Sequence, residues 1–260
     1  MKKILALVLT LALVAVLGTA SAATKLVIGA SSTPHAEILE AAKPLLEEKG
    51  IELEIVIFDD YVQPNLQLES GDLDANYFQH IPYMNDFNAQ NGTHLVSAGA
   101  VHYEPMGIYG GKSNDLANIP DGATIAVPND TTNEARALAL LQAQGIIKLS
   151  ETAGETATAL DIAENPHNVQ IVEVEAAQVS RQLADVDFGV INSNYALQAG
   201  ADVVGQALAV EGTDVSFPNI VAIREGDDRE ELKTLVEVLQ SDAIVNFIKD
   251  TYGTAVVPTK

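Results

Sequence analysis

From Lys25 onward, apolar and polar positions follow two alternating periods. Lys25 to Ala30 and Leu53 to Phe58 read as short strands bounded by turn formers. Between them a helical pattern begins at Ala36 and runs to Gly50, which stops it. Gln63 to Ser70 predicts a helix ended by Gly71, Leu73-Asp74-Ala75 a short third strand, and Pro82 to Gln90 another helix. The rhythm restarts at Thr124 to Val127, a strand followed by the turn Pro128-Asn129-Asp130 and a helix from Thr132 to Gln144. Val169 to Val174 and Phe188 to Ile191 read as strands around a helix at Gln178 to Leu183. A last amphipathic helix from Asp228 turns Leu232, Leu235, Leu239 and Phe247 toward one face. Strands alternating with helices predict parallel α/β sheets. No Pro/Gly-rich linker divides the halves, so two α/β lobes joined by extended crossings are expected.

The first 22 residues do not share this rhythm. Lys2-Lys3, an apolar run from Ile4 to Leu17 and the small-residue site Ala20-Ser21-Ala22 have the order of a secretory signal. The run is short for a membrane span of about 20 residues. Cleavage after Ala22 would export a mature chain that starts at Ala23.

Charge and composition narrow the function. The 260 residues carry 36 acidic and 14 basic side chains, a net charge of −22 at pH 7. That field repels phosphate backbones and anionic lipid heads, which argues against nucleic-acid and membrane-surface partners. The chain has no Cys, which removes thiol nucleophiles, thiolate metal sites and disulfides. The five histidines show no metal-ligand spacing and read as surface or turn residues. Asp72-Leu73-Asp74-Ala75-Asn76 opens like a calcium loop, but Tyr77 replaces the needed Gly and Met84 the needed Glu. No metal or cofactor is expected. GxSxG, GxxxxGKS/T and GxGxxG motifs are absent.

Three clusters carry candidate chemistry. Tyr77-Phe78-Gln79-His80-Ile81-Pro82-Tyr83, with Tyr61 upstream, concentrates aromatics in a chain that has only 6 Phe and 7 Tyr. They form either core packing or a pocket wall for an apolar ligand tail. Arg136, one of few arginines, falls in the first turns of a helix after Pro128-Asn129-Asp130. It sits either on an exposed face or where its planar fork, beside the helix N-terminus, meets a carboxylate. Asn192 and Asn219 lie beside apolar strands, where they serve either turns or a zwitterionic ligand.

Read in order, several segments resemble one family. They are Pro34-His35-Ala36-Glu37-Ile38-Leu39, Asp60-Tyr61-Val62-Gln63-Pro64-Asn65, Leu73-Asp74-Ala75-Asn76-Tyr77-Phe78-Gln79-His80 and Val127-Pro128-Asn129-Asp130. Further on come Asn133-Glu134-Ala135-Arg136-Ala137-Leu138, Glu164-Asn165-Pro166, Glu175-Ala176-Ala177-Gln178 and Val190-Ile191-Asn192. Together they resemble the substrate-binding protein of the bacterial methionine ABC importer, the D- and L-methionine-binding lipoproteins.

The resemblance implies a type II-like periplasmic-binding-protein fold with its ligand cleft between lobes. Lobe one would span 24–104 and 217–260, lobe two 105–216. It further implies a monomeric, non-catalytic carrier that delivers methionine or a close analogue to a membrane permease and its ATPase. By the same match Tyr61, Phe78, His80 and Tyr83 line the side-chain pocket, Arg136 holds the carboxylate, and Asn192 and Asn219 bind the amino and carboxylate groups. The chain departs from the family at Thr131-Thr132, at Ala135 where Gly is usual, and at Phe217-Pro218. The last departure leaves D-methionine, a methionine dipeptide or another apolar amino acid as alternative ligands. With Ala20-Ser21-Ala22 where the family carries a lipobox Cys, a soluble periplasmic protein without a lipid anchor is expected.

Overall fold

The computed structural model describes residues 23–201, 205–212 and 217–260. The signal-sequence reading of residues 1–22 lies outside them. In chain order the strands are β1 (Thr24–Ser31), β2 (Ile51–Phe58), β3 (Ala75–His80), β4 (Leu95–Tyr103), β5 (Gly107–Gly110), β6 (Thr124–Pro128) and β7 (Lys148–Leu149). There follow β8 (Ile162–Glu164), β9 (Gln170–Val174), β10 (Phe188–Ile191), β11 (Ala209–Val210), β12 (Asn219–Arg224) and β13 (Val257–Pro258). The α-helices are α1 (Glu37–Glu47), α2 (Gln63–Ser70), α3 (Ile81–Asn91), α4 (Thr131–Ala143), α5 (Ala176–Gln182), α6 (Ser193–Gln198), α7 (Glu230–Leu239) and α8 (Asp242–Tyr252).

Two sheets organise these elements. One runs β13-β4-β12-β3-β1-β2, the other β11-β5-β10-β6-β9. β1 pairs in parallel with β2 and β3, and β6 with β9 and β10. β12 enters antiparallel between β3 and β4. The first sheet therefore takes its strands from both ends of the described chain, and the second from the middle. Each has its own apolar core. Leu26, Ile28, Leu39, Leu46, Leu235 and Ile248 are fully buried in one. Ile108, Ile125, Leu138, Leu141, Phe188 and Val190 are fully buried in the other.

Two expectations change. β3 begins at Ala75, where the sequence pattern placed the end of a strand, and continues through Tyr77-Phe78-Gln79-His80. The aromatic cluster is thus on the strand and not after it. All six residues of β3 are buried, so the polar/apolar alternation that marks a half-exposed strand is missing. The C-terminal helix is two helices. Ser241 is extended (φ −71°, ψ 156°) and opens α8. The period continues across the break because both helices present apolar faces to the same core.

One close approach in the second lobe is open to test. A Cβ built on Gly111 would lie 2.3 Å from the Leu183 carbonyl oxygen and 2.4 Å from that of Val186. Both are backbone atoms that cannot rotate away. Gly111→Ala should lower unfolding stability by about 1–3 kcal/mol, as overpacking does, measured by urea denaturation. An unchanged midpoint would show that the turn at 183–187 yields freely.

Candidate functional site

Tyr61, Phe78, His80, Tyr83, Arg136, Asn192 and Asn219 all line one cavity, together with Gln79, Glu104, Asn133, Ser193 and Asn194. About 330 Å³ of space lies among these residues, part of it continuous with open solvent. Residues as far apart in sequence as Tyr61 and Asn219 converge here because the carboxyl ends of several strands meet at the junction of the two sheets. In open α/β sheets ligands bind in that crevice.

The first sheet supplies the aromatic side. Tyr61 sits in the loop between β2 and α2, Phe78 and His80 on β3, and Tyr83 in the first turn of α3. Ring centroids lie 5.5 Å apart for Tyr61–Phe78, 5.7 Å for Tyr61–Tyr83 and 6.1 Å for Phe78–Tyr83, the spacing of favourable aromatic pairs. His80 caps α3, its Nδ1 accepting from the Tyr83 backbone N–H at 3.1 Å. Its Nε2–H therefore donates, and reaches Asn133 Oδ1 at 3.3 Å. Burial, then the nearby Arg136 charge, pushes the His80 pKa down to about 3. The imidazole is neutral at pH 7.

The second sheet supplies the polar side. Asp130 caps α4 by accepting from the Asn133 backbone N–H at 3.0 Å. Its carboxylate also accepts from Asn133 Nδ2 at 2.9 and 3.1 Å, which turns Asn133 Oδ1 toward Asn192. Asn192 Nδ2 donates to that oxygen at 2.9 Å. Asn192 Oδ1 and Asn194 Nδ2 are buried and have no hydrogen-bond partner. Buried polar atoms are rarely left so, and both belong to cavity residues.

Contacts across the cleft close it. Tyr61 O–H donates to Asn194 Oδ1 at 2.6 Å, and Tyr195 O–H to the Asp59 carbonyl at 3.2 Å. The Tyr61 and Tyr195 rings stand 4.9 Å apart.

Arg136 is buried and already paired. Its Nε donates to Glu211 Oε1 and its Nη2 to Glu211 Oε2, each at 2.6 Å. Nη2 also donates to the Glu104 carbonyl at 2.6 Å. Burial opposes the guanidinium charge, but Glu211 outweighs it and holds the pKa above its ordinary value. The guanidinium carbon lies 4.9 Å from the Phe217 ring centroid, a cation–π contact. Burial removes the exposed-face reading of Arg136, and the carboxylate that its fork meets here is that of Glu211. Nη1 takes no part in the bonds to Glu211 and Glu104.

A second buried group stands behind the cavity. Tyr77 O–H donates to His102 Nδ1, and Ser31 O–H donates to His35 Nδ1 at 2.6 Å. The opposite nitrogens then donate to Glu104 Oε1, His102 at 2.7 Å and His35 at 3.2 Å. His35 Nε2–H also reaches Asn219 Oδ1 at 3.1 Å. Burial lowers His35 to about 4 and His102 to about 3. Expecting these histidines, and His80, on the surface or in turns was wrong: all three are buried. Their spacing along the chain does not show that β1, β3 and β4 bring them together. His35, His102 and Glu104 are the group among the described residues whose ligand atoms converge as a metal would need, within 4.8 Å. Here the imidazoles donate to the carboxylate, and Ser31 and Tyr77 close the far nitrogens, so the lone pairs are spent within the protein.

Glu104 and Glu211 were not singled out from sequence. The available signal was weak: a lone acid before Pro105-Met106-Gly107, and another between the apolar pair Ala209-Val210 and Gly212.

Two α/β lobes closed over a cavity with an aromatic side and an unsatisfied polar side define a substrate-binding protein of the periplasmic type. The NlpA lipoprotein family profile matches residues 26–260, and the chain belongs to that family. It is 41% identical over 247 residues to the methionine-binding lipoprotein MetQ of Bacillus subtilis, covering 93% of this chain and 90% of that one. A nutrient-binding protein from Burkholderia cenocepacia, solved bound to methionine, superposes with a TM-score of 0.87 at 42% identity, over 90% of this chain and 100% of that one. An ABC transporter periplasmic substrate-binding protein from Coxiella burnetii gives 0.86 at 41% identity, again over 90% and 100%.

These relatives correct one expectation. The family and the Bacillus subtilis relative are named lipoproteins, which points to membrane anchoring and overturns the expected free, soluble periplasmic form. That expectation rested on Ala20-Ser21-Ala22 standing where the family carries its lipobox Cys, and a missing residue is a weak physical basis for a location.

Proposed function

We propose that this chain captures methionine between its lobes and delivers it to an ABC importer. The carrying observation is a cavity lined both by aromatic rings and by two asparagines that each hold a buried amide atom without a partner, in a chain from a family with methionine-binding members. Lobe one, 24–104 with 217–260, and lobe two, 105–216, would close over the ligand as a monomer. Tyr61, Phe78, His80 and Tyr83 would hold the thioether, since sulfur–ring contacts contribute about 0.3–1.5 kcal/mol each. Arg136 Nη1 and Asn194 Nδ2 would serve the carboxylate, with Asn192 and Asn219 beside them.

The reading includes no catalytic step. Ser31, His35 and Glu104 do form a hydroxyl–imidazole–carboxylate string, the parts list of a hydrolase. Ser31 is buried and is not among the residues lining the cavity. The carboxylate end faces the ligand space, which is the wrong end for nucleophilic attack.

Mass spectrometry of the ligand released on denaturation, followed by calorimetric titration, tests the proposal. Methionine and selenomethionine should bind, norleucine more weakly by roughly two- to tenfold for one lost sulfur–ring contact. Asp and Lys should not bind. Release of a charged amino acid, or tight binding of one, would refute methionine as the ligand.

A further inference from the structure

The charges around the cavity do not cancel, and the remainder has a sign. Arg136 and Glu211 neutralise each other in a two-pronged pair. His35, His80 and His102 are uncharged at neutral pH, burial holding each near 3 or 4. Glu104 lines the same cavity and is itself buried. Its carboxylate receives N–H groups from His35, His102 and the Asn194 backbone. Arg136 bonds the Glu104 backbone carbonyl and not this carboxylate. Among the described residues no Lys or Arg forms an ion pair with it.

Two features keep the carboxylate in place. Both imidazoles meet Oε1, and each is fixed in its donating form because its other nitrogen accepts a hydroxyl proton, from Ser31 or Tyr77. Buried carboxylates are costly unless paired. Burial indeed pushes Glu104 upward, against His35, Arg136 and the Asn194 N–H. A cation from the ligand would complete the pairing. Asn192 Oδ1, a buried acceptor with no donor, lines the same cavity. One anionic and one neutral acceptor suit the three N–H donors of an ammonium group.

We infer that Glu104 is the counter-charge for the ligand's α-ammonium, with Asn192 Oδ1 as its second acceptor, and that the site therefore demands a free amine. His35 and His102 are positioning residues that act through Glu104. The inference rests on the methionine reading and adds which end of the ligand the protein's own unpaired charge selects. A carboxylic acid that keeps the thioether but lacks the amine should be rejected.

The experiment compares L-methionine with 4-(methylthio)butanoate, which differs only by the amine, on protein freed of ligand by unfolding and refolding. The wild type should bind methionine at least about 30-fold more tightly, the lower end for losing one partner of a buried charge pair. In Glu104→Gln, methionine should fall to within a few-fold of the deaminated acid, whose own affinity should change by less than about threefold. Circular dichroism checks that the variant folds. Should it not, the Glu104 carboxyl ¹³C resonance of the wild type gives the second readout: it should shift with methionine and stay with the deaminated acid. Equal binding of the two acids by the wild type, an unchanged gap in Glu104→Gln, or the same resonance shift with both overturns the inference and leaves the carrier reading standing. Failure of methionine itself to bind removes both.

Discussion

Arg136→Ala should lower unfolding stability by about 3–5 kcal/mol and weaken methionine binding by roughly 30-fold to a few thousand-fold. Two costs with different origins are combined. The stability loss comes from Glu211, which is as buried as Arg136 and would lose its ion-pair partner. Met106 N–H at 2.7 Å and Tyr103 O–H at 3.3 Å would still donate to its Oε2, but neither is a cation. The Phe217 ring would lose its guanidinium. The binding loss comes from removing the cation beside the ligand's carboxylate.

A double variant separates the two costs. Arg136→Met with Glu211→Gln removes both charges, keeps side-chain volume and leaves an acceptor for the Met106 N–H. Replacing a buried ion pair by uncharged groups of similar shape is often nearly neutral for stability. The double variant should therefore recover at least half of the lost stability while methionine binding stays weak. Urea denaturation of the ligand-free proteins and calorimetric titration of each measure these separately. A double variant that binds methionine like the wild type would confine Arg136 to tying the two crossing segments together through Glu104 and Glu211.

The second large effect is acid sensitivity well above the carboxylate range. His35, His80 and His102 are held neutral by burial, with pKa values lowered to about 4, 3 and 3. Unfolded, each titrates near 6.5. Between those values the unfolded chain binds protons that the folded chain does not, so stability rises with pH across this window. It is fully present above 6.5 and is lost as pH falls toward 4. At pH 5 each histidine costs about 2 kcal/mol and the three together about 6 kcal/mol.

Glu104, Asp130 and Glu134 work against this trend, because burial raises their folded pKa values. A raised carboxylate takes up its proton earlier when folded and so gains stability as pH falls. Protonation of the acidic surface also relieves self-repulsion, so the measurement belongs at high salt, where that repulsion is already screened. Unfolding free energies from urea denaturation at pH 7, 6 and 5 should fall by several kcal/mol in total. His80→Asn should show a shallower slope by one histidine's share. Stability that stays level or rises between pH 7 and 5 would mean that these imidazoles charge without cost.

How much of this was legible beforehand depends on the range of the interaction responsible. The helix stops at Gly50 and Gly71 are local, since each takes a left-handed φ, 75° and 89°, that glycine adopts without strain. The strand runs of β1, β6 and β10 are equally local, because burial of a short apolar segment needs no knowledge of its neighbour. Family-wide segments around Tyr61, Phe78 and Arg136 let the resemblance gather the cavity's residues, although no spacing rule connects them.

What the sequence could not supply were the partners of its charges. Arg136 and Glu211 lie 75 residues apart, and His35 and Glu104 come from the segments that follow β1 and β4. Nothing local in either stretch encodes the meeting, because it follows from the order of strands in two sheets and the way the lobes close. The break at Ser241 escaped for a related reason: α7 and α8 bury apolar faces in one core, so the apolar period continues where the backbone does not. The chain's pattern alone determined that strands and helices alternate, that they build α/β lobes and which family they resemble. Tertiary structure decided which buried charges are already satisfied and which one remains for a ligand, because desolvation and pairing depend on what surrounds a group in space.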